Sequence, residues 1–144
     1  MFLGEYSHSI DEKGRIAVPK KFRNELEKGL IITRGLDNCL FVFTDAEWQK
    51  LAEQLQKLPL TQASARSFVR LMFAGASEEL LDKQGRISVP QFLREYAGIK
   101  KNVIVTGLFN RMEIWAEDAW TAYKQSAEEN NSELAEQLAG IGII

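Results

Sequence analysis

Ile16 and Val18 alternate with Arg15 and Ala17, the period-two pattern of a half-buried strand, and Tyr6 to Ile10 leads into the polar loop before them. Apolar runs Leu30-Ile31-Ile32-Thr33 and Leu40-Phe41-Val42-Phe43 flank a Gly and Asn turn, as Val103-Ile104-Val105-Thr106 and Met112-Glu113-Ile114-Trp115 do later in the chain. After the first pair, Thr44 with Glu47 three residues on reads as a capping box. Trp48, Leu51, Leu55 and Leu58 then follow at helical spacing until Pro59 stops the helix. Further helices are predicted from about Ser64 to Phe73 and from Ser132 to Leu138, the latter with Leu134, Leu138 and Ile141 on one face.

This succession of elements occurs twice. Asp11-Glu12-Lys13-Gly14-Arg15-Ile16-Ala17-Val18-Pro19 aligns with Asp82-Lys83-Gln84-Gly85-Arg86-Ile87-Ser88-Val89-Pro90 at an offset of 71, which also sets Arg23 on Arg94 and Phe2-x-Gly4 on Phe73-x-Gly75. After a one-residue insertion, Gly35-Leu36-x-Asn38 falls on Gly107-Leu108-x-Asn110, Phe43 on Trp115 and Trp48 on Trp120. Each unit reads as strand, tight hairpin, strand, short helical turn, two strands and a helix, an α+β unit of ββαββ type. The units span 1–60 (core about 5–47) and 73–125 (core about 76–119), with a linking helix at 61–72 and a C-terminal helix and tail at 126–144. Either unit alone would leave sheet edges open and bury too little surface, so the two are expected to interlock about a pseudo-twofold axis.

The loops are the candidate chemistry. Asp11 and Asp82 suit the first position of a type I turn, and Gly14 and Gly85 the positive-φ position that closes a three-residue hairpin loop. Turn geometry accounts for those four and leaves Arg15 and Arg86 unexplained. Each arginine either only pairs with its aspartate, an exposed contact of little consequence for stability, or is a guanidinium held ready for guanine edges or phosphates. Pro19 suits the first helical position, and Phe22 and Leu26 anchor the following turn inward. That arrangement leaves Lys20, Lys21 and Arg23 near exposed backbone N–H groups, either as a phosphate site or as an ordinary solvated face. The second unit has Gln91 and Phe92 in place of the two lysines, so the first is expected to bear more of any phosphate contact, and Phe92 to face protein.

Charge sharpens this asymmetry. The chain carries a net charge of -2, but residues 1–72 hold 11 Lys/Arg against 9 Asp/Glu while residues 73–144 hold 7 against 11. Any polyanion-binding face therefore comes from clustering, as in Lys13, Arg15, Lys20, Lys21 and Arg23. One cysteine, Cys39, and one histidine, His8, make neither a disulfide nor the usual zinc constellations, so no metal or cofactor is expected. There is no phosphate-cradling Gly loop with Lys-Ser/Thr, no nucleophile elbow and no His-x-x-x-His pair; His8 near Asp11 and the Glu78-Glu79 run are weak grounds for an enzyme. Without a signal-like N-terminus or a membrane-length apolar stretch, a cytoplasmic, nucleoid-associated protein is expected, with no membrane partner.

The two Asp-x-x-x-Arg motifs, each running on into Ile-x-Val-Pro, resemble those of the MraZ family over almost the full chain. The resemblance implies an AbrB-like swapped-hairpin protein whose two units form a double-split β-barrel with flanking helices. It also implies a ring-like homo-oligomer that binds repeated promoter boxes in double-stranded DNA and regulates its own division and cell-wall operon. The family's Asp and Arg fall on Asp11 and Arg15, and on Asp82 and Arg86. A protein-interaction or scaffold module on the same barrel, antitoxin-like, remains the alternative. The repeat-matched positions of Trp48, Trp115 and Trp120 place them in the core, and the apolar end, Gly140 to Ile144, either docks on a neighbouring subunit or is frayed.

Overall fold

A computed structural model describes residues 1–142; Ile143 and Ile144, part of the expected apolar end, lie outside the described residues. The chain runs β1 (Phe2–Ser9), β2 (Arg15–Ala17), α1 (Lys20–Arg23), β3 (Leu30–Arg34), β4 (Leu40–Thr44), α2 (Asp45–Gln56) and α3 (Ala63–Ala74). It continues through β5 (Ser77–Glu79), β6 (Arg86–Ser88), α4 (Gln91–Tyr96), β7 (Asn102–Phe109), β8 (Met112–Ala116), α5 (Glu117–Glu129) and α6 (Asn131–Ala139). Mixed α+β architecture and the helices at Ala63–Ala74 and Asn131–Ala139 agree with the sequence pattern. No described helix is long and apolar enough to cross a membrane.

The pairing of strands departs from a simple hairpin. Asp11 N–H donates to the Arg15 carbonyl at 3.0 Å and Ile10 bridges Ile16, but there the hydrogen-bonded pairing of the hairpin ends. Each strand then leaves for a partner in the other repeat. β1 runs antiparallel to β7 from Phe2–Phe109 to Ser9–Asn102, and β2 pairs with β6 as a separate two-stranded ribbon. The six-stranded sheet has the order β1-β7-β8-β4-β3-β5, all antiparallel. Exchanging β1 with β5, β2 with β6, β3 with β7 and β4 with β8 leaves every pairing in place. The cause is edge satisfaction: backbone N–H and C=O groups that one short unit leaves unpaired are taken up by the other.

The principal core lies between the ribbon and the sheet. Ile16, Val18, Phe22, Leu26, Leu30 and Ile32 from the first repeat meet Ile87, Val89, Leu93, Val103, Val105 and Ile114 from the second. On the far face of the sheet, Trp48 packs with Ile31 and Phe43 under α2 and α3, and Trp115 with Ile104 and Cys39 under α5. Trp120 is half-buried against Trp115, while Leu134, Leu138 and Ile141 stay exposed.

Three details differ from the sequence pattern. Thr44 caps α2 by accepting from Glu47 N–H, but the Glu47 carboxylate turns to Lys50 instead of completing the box, and the helix ends at Gln56, ahead of Leu58. Pro19 is the residue just before α1 and not its first member, with an extended ψ of 135°. The Gly-Leu-x-Asn match also dissolves. Arg34 faces Leu40 and Gly107 faces Met112 in the ladders, so Thr33 corresponds to Thr106, and the corner shrinks from residues 35–39 to 108–111. Gly35 opens a corner, whereas Gly107 and Leu108 lie inside β7.

Candidate nucleic-acid interface

Both Asp-x-x-Gly-Arg loops arrive at the same place because β2 and β6 pair. Arg15 faces Ser88, Ile16 faces Ile87 and Ala17 faces Arg86. Side chains alternate across a ribbon, so Ile16 and Ile87 point into the core and Arg15 and Arg86 share the outward face. Diagonal neighbours of this kind have Cα atoms about 7–8 Å apart. Two arginines 71 positions apart in the chain are thus brought side by side.

The loops are near copies of one another. Gly14 N–H donates to the Asp11 carbonyl and Gly85 N–H to the Asp82 carbonyl, both at 3.0 Å, and the glycines have φ of 80° and 75°, where a Cβ is disfavoured. Asp11 Oδ1 accepts from Lys13 N–H and Arg15 N–H at 2.9 Å each, and its Oδ2 accepts from Arg15 Nε at 2.7 Å. Asp82 does the same with Gln84 N–H, Arg86 N–H and Arg86 Nε. Arg86 Nη1 also lies 3.8 Å from Asp11 Oδ2, which joins the two loops electrostatically. Each arginine therefore has Nε fixed on a carboxylate, and its two terminal NH2 groups make no hydrogen bond among the described residues.

Donation from the Arg15 backbone N–H, with the Arg15 side chain and Lys13 N–H adding to it, holds the Asp11 carboxyl below its ordinary range. Arg86 and Gln84 do the same for Asp82. A depressed carboxyl pKa supports the loop fully above the unfolded-state value and ceases to do so as pH falls through the lower folded value. In an NMR pH titration, the Gly14 and Gly85 amides and the Arg15 and Arg86 Nε signals should hold their positions until below the ordinary aspartate value of about 3.9. A midpoint at or above it would contradict the geometry.

Lys13 is exposed in the first loop, and Lys20 and Lys21 are exposed on α1, which follows Val18 where its N–H meets the Gly85 carbonyl of the second loop. Arg23 is placed otherwise than the sequence suggests: it is half-buried, its Nε donates to the Val18 carbonyl at 2.9 Å, and its side chain lies against Gly85 of the second loop. Lys83, exposed in the second loop, was missed because it aligns with Glu12 and not with Lys13; counting the cations in each loop would have found it. Phe92 is 43% exposed, with the Arg34 guanidinium 5.6 Å above its ring. Burial, and secondarily Arg23, lowers the pKa of His8, and burial raises that of the Cys39 thiol.

The model of the family described as "MraZ protein, putative antitoxin-like" matches the chain twice, over residues 1–71 and 72–141. The chain belongs to the MraZ family. A protein named transcriptional regulator MraZ from Syntrophomonas wolfei is 51% identical over 143 residues, covering 99% of this chain and all of the relative. One so named from Halothermothrix orenii is 52% identical over the same span, and one from Ligilactobacillus salivarius 51% over 96% of both chains. All three relatives carry the name of a regulator and none that of an enzyme.

Proposed function

We propose that this MraZ-family chain is a sequence-specific DNA-binding transcriptional regulator that meets duplex DNA with the outward face of the β2–β6 ribbon. The observation that carries the reading is the convergence of Arg15 and Arg86 on that face, each oriented by an aspartate and each with terminal NH2 groups that make no hydrogen bond among the described residues. A two-stranded ribbon fits the major groove of B-DNA, and guanidinium donors match the O6 and N7 acceptors of guanine. Lys13, Lys20, Lys21 and the added Lys83 flank the ribbon and supply sequence-independent phosphate contact. Asp11, Gly14, Asp82 and Gly85 shape the loops. The first repeat supplies more of the phosphate contact, because the second has Gln91 and Phe92 in place of Lys20 and Lys21.

The strand exchange supports a double-split β-barrel with a pseudo-twofold axis through the ribbon, built from units at 1–60 and 73–125, with 61–72 linking them and 126–144 as a flanking helix and tail. In this reading the chain acts at the nucleoid as a ring-like homo-oligomer on repeated boxes of its own division and cell-wall operon. Neighbouring copies would add their contacts through effective concentration, which lets a chain of net charge -2 hold a polyanion. Anisotropy titration against its own upstream DNA should show log K falling by about 0.9 per log unit of salt for each phosphate neutralised, and footprinting should show evenly spaced protected boxes. Absence of protection at low salt would favour the antitoxin-like interaction module.

A further inference from the structure

We propose that Arg23 and Arg94 are crossed positioning residues: each is anchored in its own repeat and holds the arginine loop of the other. The proposal rests on the DNA-contact reading for its functional consequence, but its geometry stands without DNA.

The anchoring is the same in both repeats. Arg23 Nε donates to the Val18 carbonyl at 2.9 Å, and Arg94 Nε to the Val89 carbonyl at 3.0 Å. Both are half-buried, and both follow a fully packed neighbour, Phe22 or Leu93. The same valines reach across: Val18 N–H donates to the Gly85 carbonyl at 2.9 Å, and Val89 N–H to the Gly14 carbonyl at 2.8 Å. A Cβ added at Gly14 would stand 3.0 Å from Arg94 Cζ, and one at Gly85 would run into the Arg23 guanidinium and stand 2.7 Å from its Cδ. The guanidinium of one repeat therefore fills the space beside the other repeat's left-handed glycine.

The two neighbourhoods differ elsewhere. Lys20 and Lys21 of one become Gln91 and Phe92 of the other, yet the arginine, its carbonyl and its opposed glycine recur. A solvated phosphate contact has no need of that reciprocity. A planar fork with one N–H spent on a carbonyl and its other atoms packed beside a bare glycine does need it, and lysine cannot reproduce it. Gly14 immediately precedes Arg15, so Arg94 sets the aim of Arg15; Gly85 precedes Arg86, so Arg23 sets the aim of Arg86.

The test is a crossed double-mutant cycle on the full chain, with Arg94→Met and Arg23→Met each combined with Arg15→Ala and with Arg86→Ala. Binding to a duplex of the chain's own upstream DNA is read by anisotropy. Arg94→Met should weaken binding about tenfold, the loss of one aimed base contact. It should add little to Arg15→Ala and should multiply with Arg86→Ala; Arg23→Met should show the opposite pairing. Effects that multiply with both, or that couple within one repeat, overturn the proposal and return Arg23 to the phosphate contacts. A second arm uses no DNA: in 1H–15N spectra, Arg94→Met should move Gly14 and the Arg15 Nε signal more than Gly85 and Arg86, and Arg23→Met the reverse. Equal or uncrossed shifts overturn it even if the wild type proves not to bind DNA. Crossed shifts with no DNA binding by the wild type would uphold the brace and remove only its functional reading. Should a methionine variant fail to fold, Arg94→Lys and Arg23→Lys carry the same two readouts.

Discussion

A chain carrying both Arg15→Ala and Arg86→Ala should bind its upstream DNA at least a hundredfold more weakly than the wild type while keeping its secondary structure and thermal midpoint. A good bidentate arginine contact to guanine discriminates by about 1–3 kcal/mol, roughly ten- to hundredfold for each arginine. Repetition over the copies of an oligomer multiplies that loss. The fold should be spared because both side chains lie on the outward face, away from Ile16 and Ile87, and make partly exposed ion pairs, each with its own aspartate and Arg86 also with Asp11. Arg15→Ala and Arg86→Ala alone should each account for part of the lost affinity, since the two side chains share one face of the ribbon. Anisotropy titrations with circular dichroism melts of the same preparations decide the matter. Unchanged affinity in the double variant would remove the ribbon from the interface, and a collapsed melt would mean that the arginines hold the fold.

The loops were legible in the sequence because their geometry is local. An Asp side chain accepting from N–H groups two and four residues ahead, and a Gly in the left-handed region, are requirements met within five residues. The duplication was legible for the same reason, and both loops fold as near copies. Open edges pointed to repeats that interlock, but the sequence did not reveal which strand each one pairs with. Period-two alternation at Ile16 and Val18 says which face is buried but not which neighbour completes the ladder, and here that neighbour is the other repeat. The corner alignment misled for a related reason. Gly-Leu-x-Asn matches by letter, while the ladders are set by the buried face and equate Thr33 with Thr106, leaving the shared letters in different elements. Arg23 read as one more cation because its carbonyl and glycine partners become neighbours only once the repeats interlock.

Phe22→Ala should be the most destabilising single truncation near the interface. Phe22 is 2% exposed, and its ring meets Phe2 at 5.1 Å and Tyr6 at 5.4 Å, both edge-on, so its removal empties a site bounded by β1 and α1. Buried Phe→Ala changes cost about 3–5 kcal/mol, which lowers the melting midpoint of a chain of this size by about 10–15 °C. Phe22→Leu should cost distinctly less, because the equivalent position in the second repeat is Leu93, fully buried in the same core. The consequence should also reach the loops. Phe22 seats the short α1 that carries Lys20, Lys21 and Arg23, so the alanine variant, assayed at a temperature where it is still folded, should lose order in the second loop, at Gly85 and Arg86, beyond what the first loses. A melt shifted by only a degree or two would show that the barrel tolerates the void. A full shift with both loops equally affected would mean that α1 acts on the interface through general loosening and not through Arg23.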